Sequence, residues 1–254
     1  MRLRKTQSQS QSQSQSRSQS VPVSNLIFEI MTTWNELFLD EKNRAKAPES
    51  EIYKFVVLLE KLFSERSLRL WDVGCGAGRH TVLIASLGHK VYASDNAPNA
   101  VDLTQNWLTE MNLHAEVKLA DMTVCPWPEV EFHGVISWNA LYHNTLDNIR
   151  KTIDEIHSRL VPGGLFMGTL KSTKADSYGS GQEMEPNTFV ADDGLEKGIL
   201  HHYFDETRIR DLFKKWELIS LAEQVITYKE RGENFLEYNP FPYTIWGVLA
   251  VKRA

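Results

Sequence analysis

Cysteine is scarce in this chain. Two residues, Cys75 and Cys125, among 254 exclude a disulfide scaffold and a four-thiolate zinc site, and a reducing, cytoplasmic setting is the default. Long apolar runs are also missing. None approaches the ~18 residues a membrane-spanning helix requires, so no membrane partner is expected. Positive charge is thin in the body of the chain. Residues 1–30 hold four basic residues and one acid, which leaves residues 31–254 with 24 basic and 32 acidic groups. A surface with that balance is a poor partner for nucleic-acid phosphates. The start of the chain lacks any apolar period. Residues 7–20 read QSQSQSQSQSRSQS, which has nothing to bury and is expected to be disordered. No apolar stretch follows MRLRK, against a secretory signal. A start of translation at Met31, where TTWNELF opens the globular pattern, is the simplest reading of this tail.

What is present is a chain with 42% hydrophobic residues, enough for one full core over residues 31–254. From Glu49 onward, helical and extended patterns alternate. IYKFVVLLEKLF reads as a helix, LRLWDV as a strand, 81–87 as a helix, 89–95 as a strand and 97–111 as a helix with Pro98 in its first turn. Strands follow at 115–121 and 134–139, then a helix over 146–160 closed by Pro162-Gly163-Gly164, then a strand at 165–171. Residues 172–202 read as a long polar, glycine-containing loop. A helix at 205–215 precedes extended runs at 216–228 and 243–252, which RGENFLEYNPFP joins. This alternation predicts an α/β, doubly wound sheet, mostly parallel, with antiparallel strands at its end.

The sharpest chemical signal is Asp72-Val73-Gly74-Cys75-Gly76-Ala77-Gly78, between a strand and a helix. Ligands of such sheets sit outside the carboxyl ends of the strands. Glycines there let the backbone turn tightly and approach a ligand. Asp95 stands 21 residues after Gly74, at the end of the second strand, where a carboxylate accepts hydrogen bonds from a ribose diol. A dinucleotide fingerprint would place its third glycine at position 79, which is Arg. The acid at 72 also suits a cationic ligand better than a pyrophosphate. The ammonium and sulfonium of S-adenosylmethionine fit that preference. A purely structural Asp72, paired with Arg79 or His80, is the competing reading.

The run LRLWDVGCGAGRHTVLIASLGHKVYASDNAPNAV resembles the first two motifs of class I S-adenosylmethionine-dependent methyltransferases. The resemblance continues through Asp121-Met122, Trp138-Asn139 and LVPGGLFM, and the ending HHYFDETRIRDLFKKWELISLAEQ is similar to small-molecule methyltransferases of the tellurite-resistance type. It implies a Rossmann-like sheet of seven strands, the last antiparallel, with S-adenosylmethionine as cofactor. It also implies roles: Gly74, Gly76 and Gly78 under the methionine portion, Asp72 near the ammonium, and Asp95 on the ribose with Asn96 beside it. Asp121 would accept from the adenine amino group with Met122 alongside, and Asn139 would line the transfer cavity. Asp121 capping a turn and Cys75 as a small filler are the structural alternatives.

Methyl transfer from a sulfonium is an in-line displacement in which the protein positions the nucleophile. His143, in WNALYHNTL after the fourth strand, is the candidate general base; packing against the next helix is its alternative. Trp34, Tyr142 and Tyr178 are candidate substrate contacts. Leu37 and Phe38 share the helical spacing of Trp34, with Arg44 as a carboxylate partner. His201 and His202 are neighbours on an extended run and face opposite ways, so no metal is expected. The acceptor class left standing is a small molecule. A silent S-adenosylmethionine-binding protein acting through a partner, a protein methyltransferase and a nicotinamide oxidoreductase are the rivals; oligomeric state is not legible.

Overall fold

The computed structural model describes residues 34–41, 44, 47–226 and 243–253. The expectations for residues 1–30 and for the connector 231–242 lie outside the described residues. A single helical turn at 34–37 comes first. Then follow α1 (Ser50–Leu62), β1 (Arg69–Val73), α2 (Arg79–Ser86), β2 (Lys90–Asp95), α3 (Pro98–Glu110), β3 (Glu116–Leu119) and β4 (Phe132–Ser137). The second half comprises α4 (Leu146–Arg159), β5 (Leu160–Ser172), β6 (Gln182–Glu185), β7 (Thr188–Val190), β8 (Leu200–Phe204), α5 (Glu206–Leu212), β9 (Trp216–Ile226) and β10 (Tyr243–Lys252).

Strands β3, β2, β1, β4 and β5 lie side by side in that order, all parallel. β10 adds antiparallel to β5, and β9 adds antiparallel to β10. These seven strands are the expected sheet, including the antiparallel pairing at its end. Side-chain alternation along them separates two apolar layers. Leu70, Ile136 and Leu165 point to the face covered by α1, α2 and α3, through Phe55, Leu59, Ile84 and Leu108. Trp71, Val135 and Phe166 point to the other face, covered by α4 and α5 through Ile149, Ile153, Ile156 and Ile209. The short polar stretches between elements force each helix back across the sheet, which produces the double winding.

The structure departs from the sequence reading between residues 172 and 202. That stretch is not an uninterrupted loop, since three short strands break the turns at 173–181 and 191–199. β6 and β7 form an antiparallel hairpin, and β7 pairs with β8, Phe189 opposite His201 and Thr188 opposite His202. β8 joins the carboxyl end of β5 through Lys171–Tyr203 and Ser172–Phe204 pairs. The resulting flap of three short strands stands beside the end of the sheet where ligands bind. TFV and LHHYF carry the β-branched and aromatic residues that fit a pleated surface, but runs of three and five are too short to register as strands by periodicity. Polar contacts besides the β5–β8 pairing pin the flap to the body. Glu185 Oε1 accepts from the Leu146 backbone N–H at 2.6 Å, and His202 N–H donates to the Tyr142 carbonyl at 2.7 Å. No helix among the described residues is long and apolar enough to cross a membrane.

Gly181 opens the flap hairpin at φ +86°, and a Cβ there would lie 2.0 Å from the Val190 carbonyl oxygen. Gly181→Ala is therefore expected to strain the hairpin by about 1–3 kcal/mol. Limited proteolysis within 172–199 is expected to accelerate about tenfold or more, with the urea midpoint of the seven-stranded body nearly unchanged. An unchanged cleavage rate would mean that the hairpin accommodates the methyl group.

Candidate functional site

The strand order reverses between β1 and β4, which leaves a crevice at their carboxyl ends. A cavity of about 390 Å³ opens there, within the range typical of small-molecule sites. Its floor is the loop that follows β1. Gly74 N–H and Cys75 N–H both donate to the Ser94 carbonyl, at 2.8 and 3.1 Å, and Gly76 N–H donates to Asp95 Oδ2 at 2.8 Å. The loop can run this close to β2 because Gly76 adopts φ +55°, a left-handed conformation that side chains resist. Gly78 has a different duty. At φ +91° it starts α2, and a Cβ would meet Thr104 Oγ1 at 2.7 Å, so it lets the loop pack against α3.

Asp95 sits at the end of β2 and is 9% exposed. Its other oxygen, Oδ1, accepts from Ala97 N–H at 2.9 Å. Burial pushes its carboxyl up, while the bonds from Ala97, Gly76 and Asn96 pull it down. A carboxylate accepts about four hydrogen bonds. Ser94 and Asn96 also line the cavity, as do Ala120 and Met122 beyond β3.

The far wall comes from the residues after β4. Asn139 holds φ +54°, a conformation Asn tolerates better than most residues. Its N–H donates to Thr169 Oγ1 at 2.7 Å, and Thr169 Oγ1 donates back to Asn139 Oδ1 at 3.0 Å. Tyr142 and His143 follow, and the flap adds Glu196. The roof is the helical turn at 34–37, whose Trp34 and Phe38 face the cavity. Asn35 docks this turn, accepting from Asn99 N–H and Nδ2 at 2.7 Å each. Trp34 packs edge-on against the His143 ring at 4.8 Å.

Nine of the residues singled out in the sequence thus meet at one cavity: Trp34, Gly74, Gly76, Asp95, Asn96, Met122, Asn139, Tyr142 and His143. Four do not line it. Gly78 faces α3, as described. Asp72 is fully enclosed under the loop, and its partner is neither Arg79 nor His80 but the Thr81 hydroxyl, 2.7 Å from Oδ2. Asp121 is exposed, and its Oδ1 accepts from the Thr123 N–H and hydroxyl at 2.8 and 2.6 Å, the turn-capping role. Tyr178 lies on the flap, 41% exposed, where its hydroxyl hydrogen-bonds the Asn187 side-chain amide and its ring packs on Phe189 and Tyr203. Arg44 also falls short of the cavity. It donates to the Phe38 and Leu39 carbonyls and closes the helical turn. The guanidinium on the cavity wall belongs to Arg79, which pairs with Glu49 at 3.1 Å.

His143 is 7% exposed. Burial, reinforced by His201, pushes its pKa down to about 3. Its imidazole is therefore neutral at neutral pH. The residues that sequence reasoning missed lie beside it. His201 Nε2 is 2.8 Å from Glu196 Oε2, and Lys171 Nζ is 3.9 Å from the same oxygen. Burial works to raise the Glu196 carboxyl, but the bond from His201 and the surrounding nitrogens outweigh it and hold it low. Burial lowers the Lys171 ammonium in turn. His201 and His202 do face opposite ways: His202 Nδ1 lies 2.5 Å from the Thr188 hydroxyl. Alternation hid that His201 meets partners from other segments. Nothing in the spacing of Glu196 links it to His143.

Comparison with known proteins agrees with this architecture. Residues 71–164 match the methyltransferase domain family. A ribosomal protein L11 methyltransferase of Campylobacter concisus is 27% identical over 169 residues, 64% of this chain and 47% of that one. The chain spans 33% and 47% of the lengths of curated relatives it matches. Among solved structures, TehB from Haemophilus influenzae superposes with a TM-score of 0.62 at 16% identity, over 82% of this chain and 64% of that chain. A Burkholderia thailandensis 1,6-didemethyltoxoflavin-N1-methyltransferase, bound to 1,6-didemethyltoxoflavin and S-adenosylhomocysteine, gives 0.62 at 16% identity over 94% and 93%. The fold is that of the class I methyltransferases.

Asp72 supplies a prediction. Burial raises its pKa to about 7, against ~3.9 in an unfolded chain. Between those values the unfolded state has lost the proton that the folded state keeps. This contribution to stability therefore falls as pH rises from about 4 to 7 and levels off above. Asp72→Asn removes it. The stability difference between variant and wild type is expected to shift in the variant's favour by up to about 1.4 kcal/mol per pH unit through that window. Urea denaturation at pH 5, 6, 7 and 8 measures it; a pH-independent difference would place the Asp72 carboxyl in its ordinary range.

Proposed function

We propose, for a chain of class I methyltransferase fold with a methyltransferase domain over residues 71–164, that it binds S-adenosylmethionine in the cavity above Gly74–Gly76 and transfers the methyl group to a small-molecule nucleophile. The observation that carries the reading is Asp95. It is a nearly buried carboxylate at the end of β2, tied to the glycine loop through Gly76 N–H and facing the cavity with acceptor capacity left for a ribose diol.

The donor set fits the cofactor. The loop floor has no side chain at Gly74 or Gly76, and a Cβ at Gly76 would come within 3.3 Å of the Phe38 ring. Ala120 and Met122 form an apolar slot beside Asp95 for the base. Arg79 offers a guanidinium for the methionine carboxylate. Asp72 acts through the loop it supports, its carboxylate accepting from the Thr81 hydroxyl of α2. Gly78 and Asp121 serve by shaping the loop and the turn around the cofactor. When bound, S-adenosylmethionine supplies a methyl group already activated on sulfur.

The chain's own residues then position the acceptor and keep water out. Trp34 and Phe38 cover the cavity, and Asn139 fixes the wall opposite the loop. Tyr142 and His143 line the side from which the nucleophile enters in line with the breaking bond. His143 flanks the acceptor, and a nucleophile that arrives unprotonated needs no base. Tyr178 contributes by stiffening the flap. The roof and flap enclose a volume suited to a small molecule more than to a protein chain or nucleic acid. Two buried, unpaired thiols suit the cytoplasm.

Calorimetric titration of the full chain with S-adenosylmethionine and separately with NADH tests the cofactor. S-adenosylmethionine is expected to bind, and Asp95→Asn to weaken it by about 1–3 kcal/mol, the scale for a lost buried acceptor. NADH binding without S-adenosylmethionine binding would replace the proposal with a nicotinamide enzyme. Release of S-adenosylhomocysteine with a panel of amine, thiol and phenol acceptors separates an enzyme from a silent binder.

A further inference from the structure

We propose that His143, Glu196 and His201 form a binding site for a zinc-class divalent transition metal at the acceptor end of the cavity. The inference goes beyond methyl transfer and stands whether or not the cavity takes S-adenosylmethionine. The three residues come from separate segments: the turn after β4, the connection between β7 and β8, and β8 itself. Their ligand atoms lie within 4.8 Å of one another. Two imidazoles with one carboxylate are a donor set that favours zinc and its neighbours over magnesium or calcium, which demand oxygen.

The outer contacts match those of metal sites. His143 Nδ1 is 3.3 Å from the Leu200 carbonyl oxygen. A carbonyl only accepts, so Nδ1 carries the ring proton and Nε2 keeps its lone pair. A backbone carbonyl in this role orients metal-ligating histidines widely. The His143 and His201 rings are buried, with centroids 4.8 Å apart, and Trp34 and Tyr142 pack against His143. Two anchors are therefore held firmly. Glu196 is half-buried and sits on the flap connection, so it is the ligand free to adjust. Tetrahedral zinc with bonds of ~2.0–2.1 Å spaces its ligand atoms about 3.3 Å apart. The 2.8 Å contact between His201 Nε2 and Glu196 Oε2 opens slightly as the metal takes its place, the His201 ring proton passing through solvent to Nδ1 so that neutral Nε2 ligates, and the widest separation closes by about 1.5 Å.

His143 and Glu196 both line the cavity, so the fourth position of the metal faces the place where an acceptor would lie. Three protein ligands and one open position are the pattern of a catalytic rather than a structural zinc site. A hydroxyl or thiol bound there loses its proton to water at lower pH than when free. Lys171, 3.9 Å from Glu196 Oε2, opposes the metal by its charge and so limits affinity.

The test uses the full chain, stripped of metal with a chelator. Zn²⁺ is titrated against a chromophoric competitor, and Co²⁺ binding is followed by visible absorption. The expected result is one equivalent bound, with the intense bands of four- or five-coordinate cobalt. Glu196→Gln, His143→Gln and His201→Gln are each expected to weaken Zn²⁺ at least tenfold, while the exposed His114→Ala leaves affinity unchanged. Lys171→Met removes a repelling charge and is expected to tighten Zn²⁺ several-fold, a gain that damaged folding would not produce. Absence of one-equivalent binding, weak octahedral cobalt bands, or affinity insensitive to Glu196→Gln and Lys171→Met would each overturn the site.

Discussion

The whole site hangs on the bond between the first glycine loop and the second strand. Ser94 and Asp95 take three successive N–H groups from Gly74, Cys75 and Gly76. That clasp bends the chain between β1 and α2 and sets the cavity floor. It also turns the Asp95 carboxylate toward the cavity in a fixed orientation. The geometry tolerates only glycine where the backbone runs left-handed. Thr104 reinforces it from α3 by donating to the Gly76 carbonyl at 2.9 Å. Because parallel strands end together, one clasp between β1 and β2 also aligns the ends of β3 and β4 around the same space.

A second constraint is the placement of charge. Asp72 and Asp95 are both nearly excluded from water beneath and beside the loop, where each disfavours ionisation of its own carboxyl. Each meets this with hydrogen-bond donors: Thr81 for Asp72, backbone amides for Asp95. The two acids also repel each other, which adds to the raised Asp72 value. A cationic ligand above the loop would relieve that stress, whereas a pyrophosphate would add to it. At the opposite end, Lys171, Glu196, His143 and His201 group charge and lone pairs around an apolar ring of Tyr142, Tyr203 and Trp34. Of these groups Asp95 lines one end of the cavity, and His143 and Glu196 line the other.

The flap makes the second end. It is built from short strands, and it depends on the body for its position. Glu185 reaches the start of α4, and β8 borrows the Tyr142 carbonyl. Flap position and the wall after β4 are therefore linked, and a ligand touching His143 or Glu196 is felt at both.

Local sequence determined the sheet, its winding and the glycine-loop end of the cavity. Apolar runs such as LRLWDV and GVISWN, the glycines at 74, 76 and 78, and the acid at 95 are adjacent in sequence to the turns they govern, so their roles follow from spacing. Spacing does not say that Asp121 Oδ1 caps a turn or that Asp72 lies beneath the loop; whether a carboxylate points into a cavity or beneath its floor depends on side-chain direction. The flap around Tyr178 was not legible because its strands are too short to show a period and exist only by pairing, β6 with β7 and β7 with β8. The meeting of His143, Glu196 and His201 was beyond the sequence altogether. Residues some 50 positions apart share no period, and only the folding of the flap back over the end of β5 brings their nitrogen and oxygen atoms together.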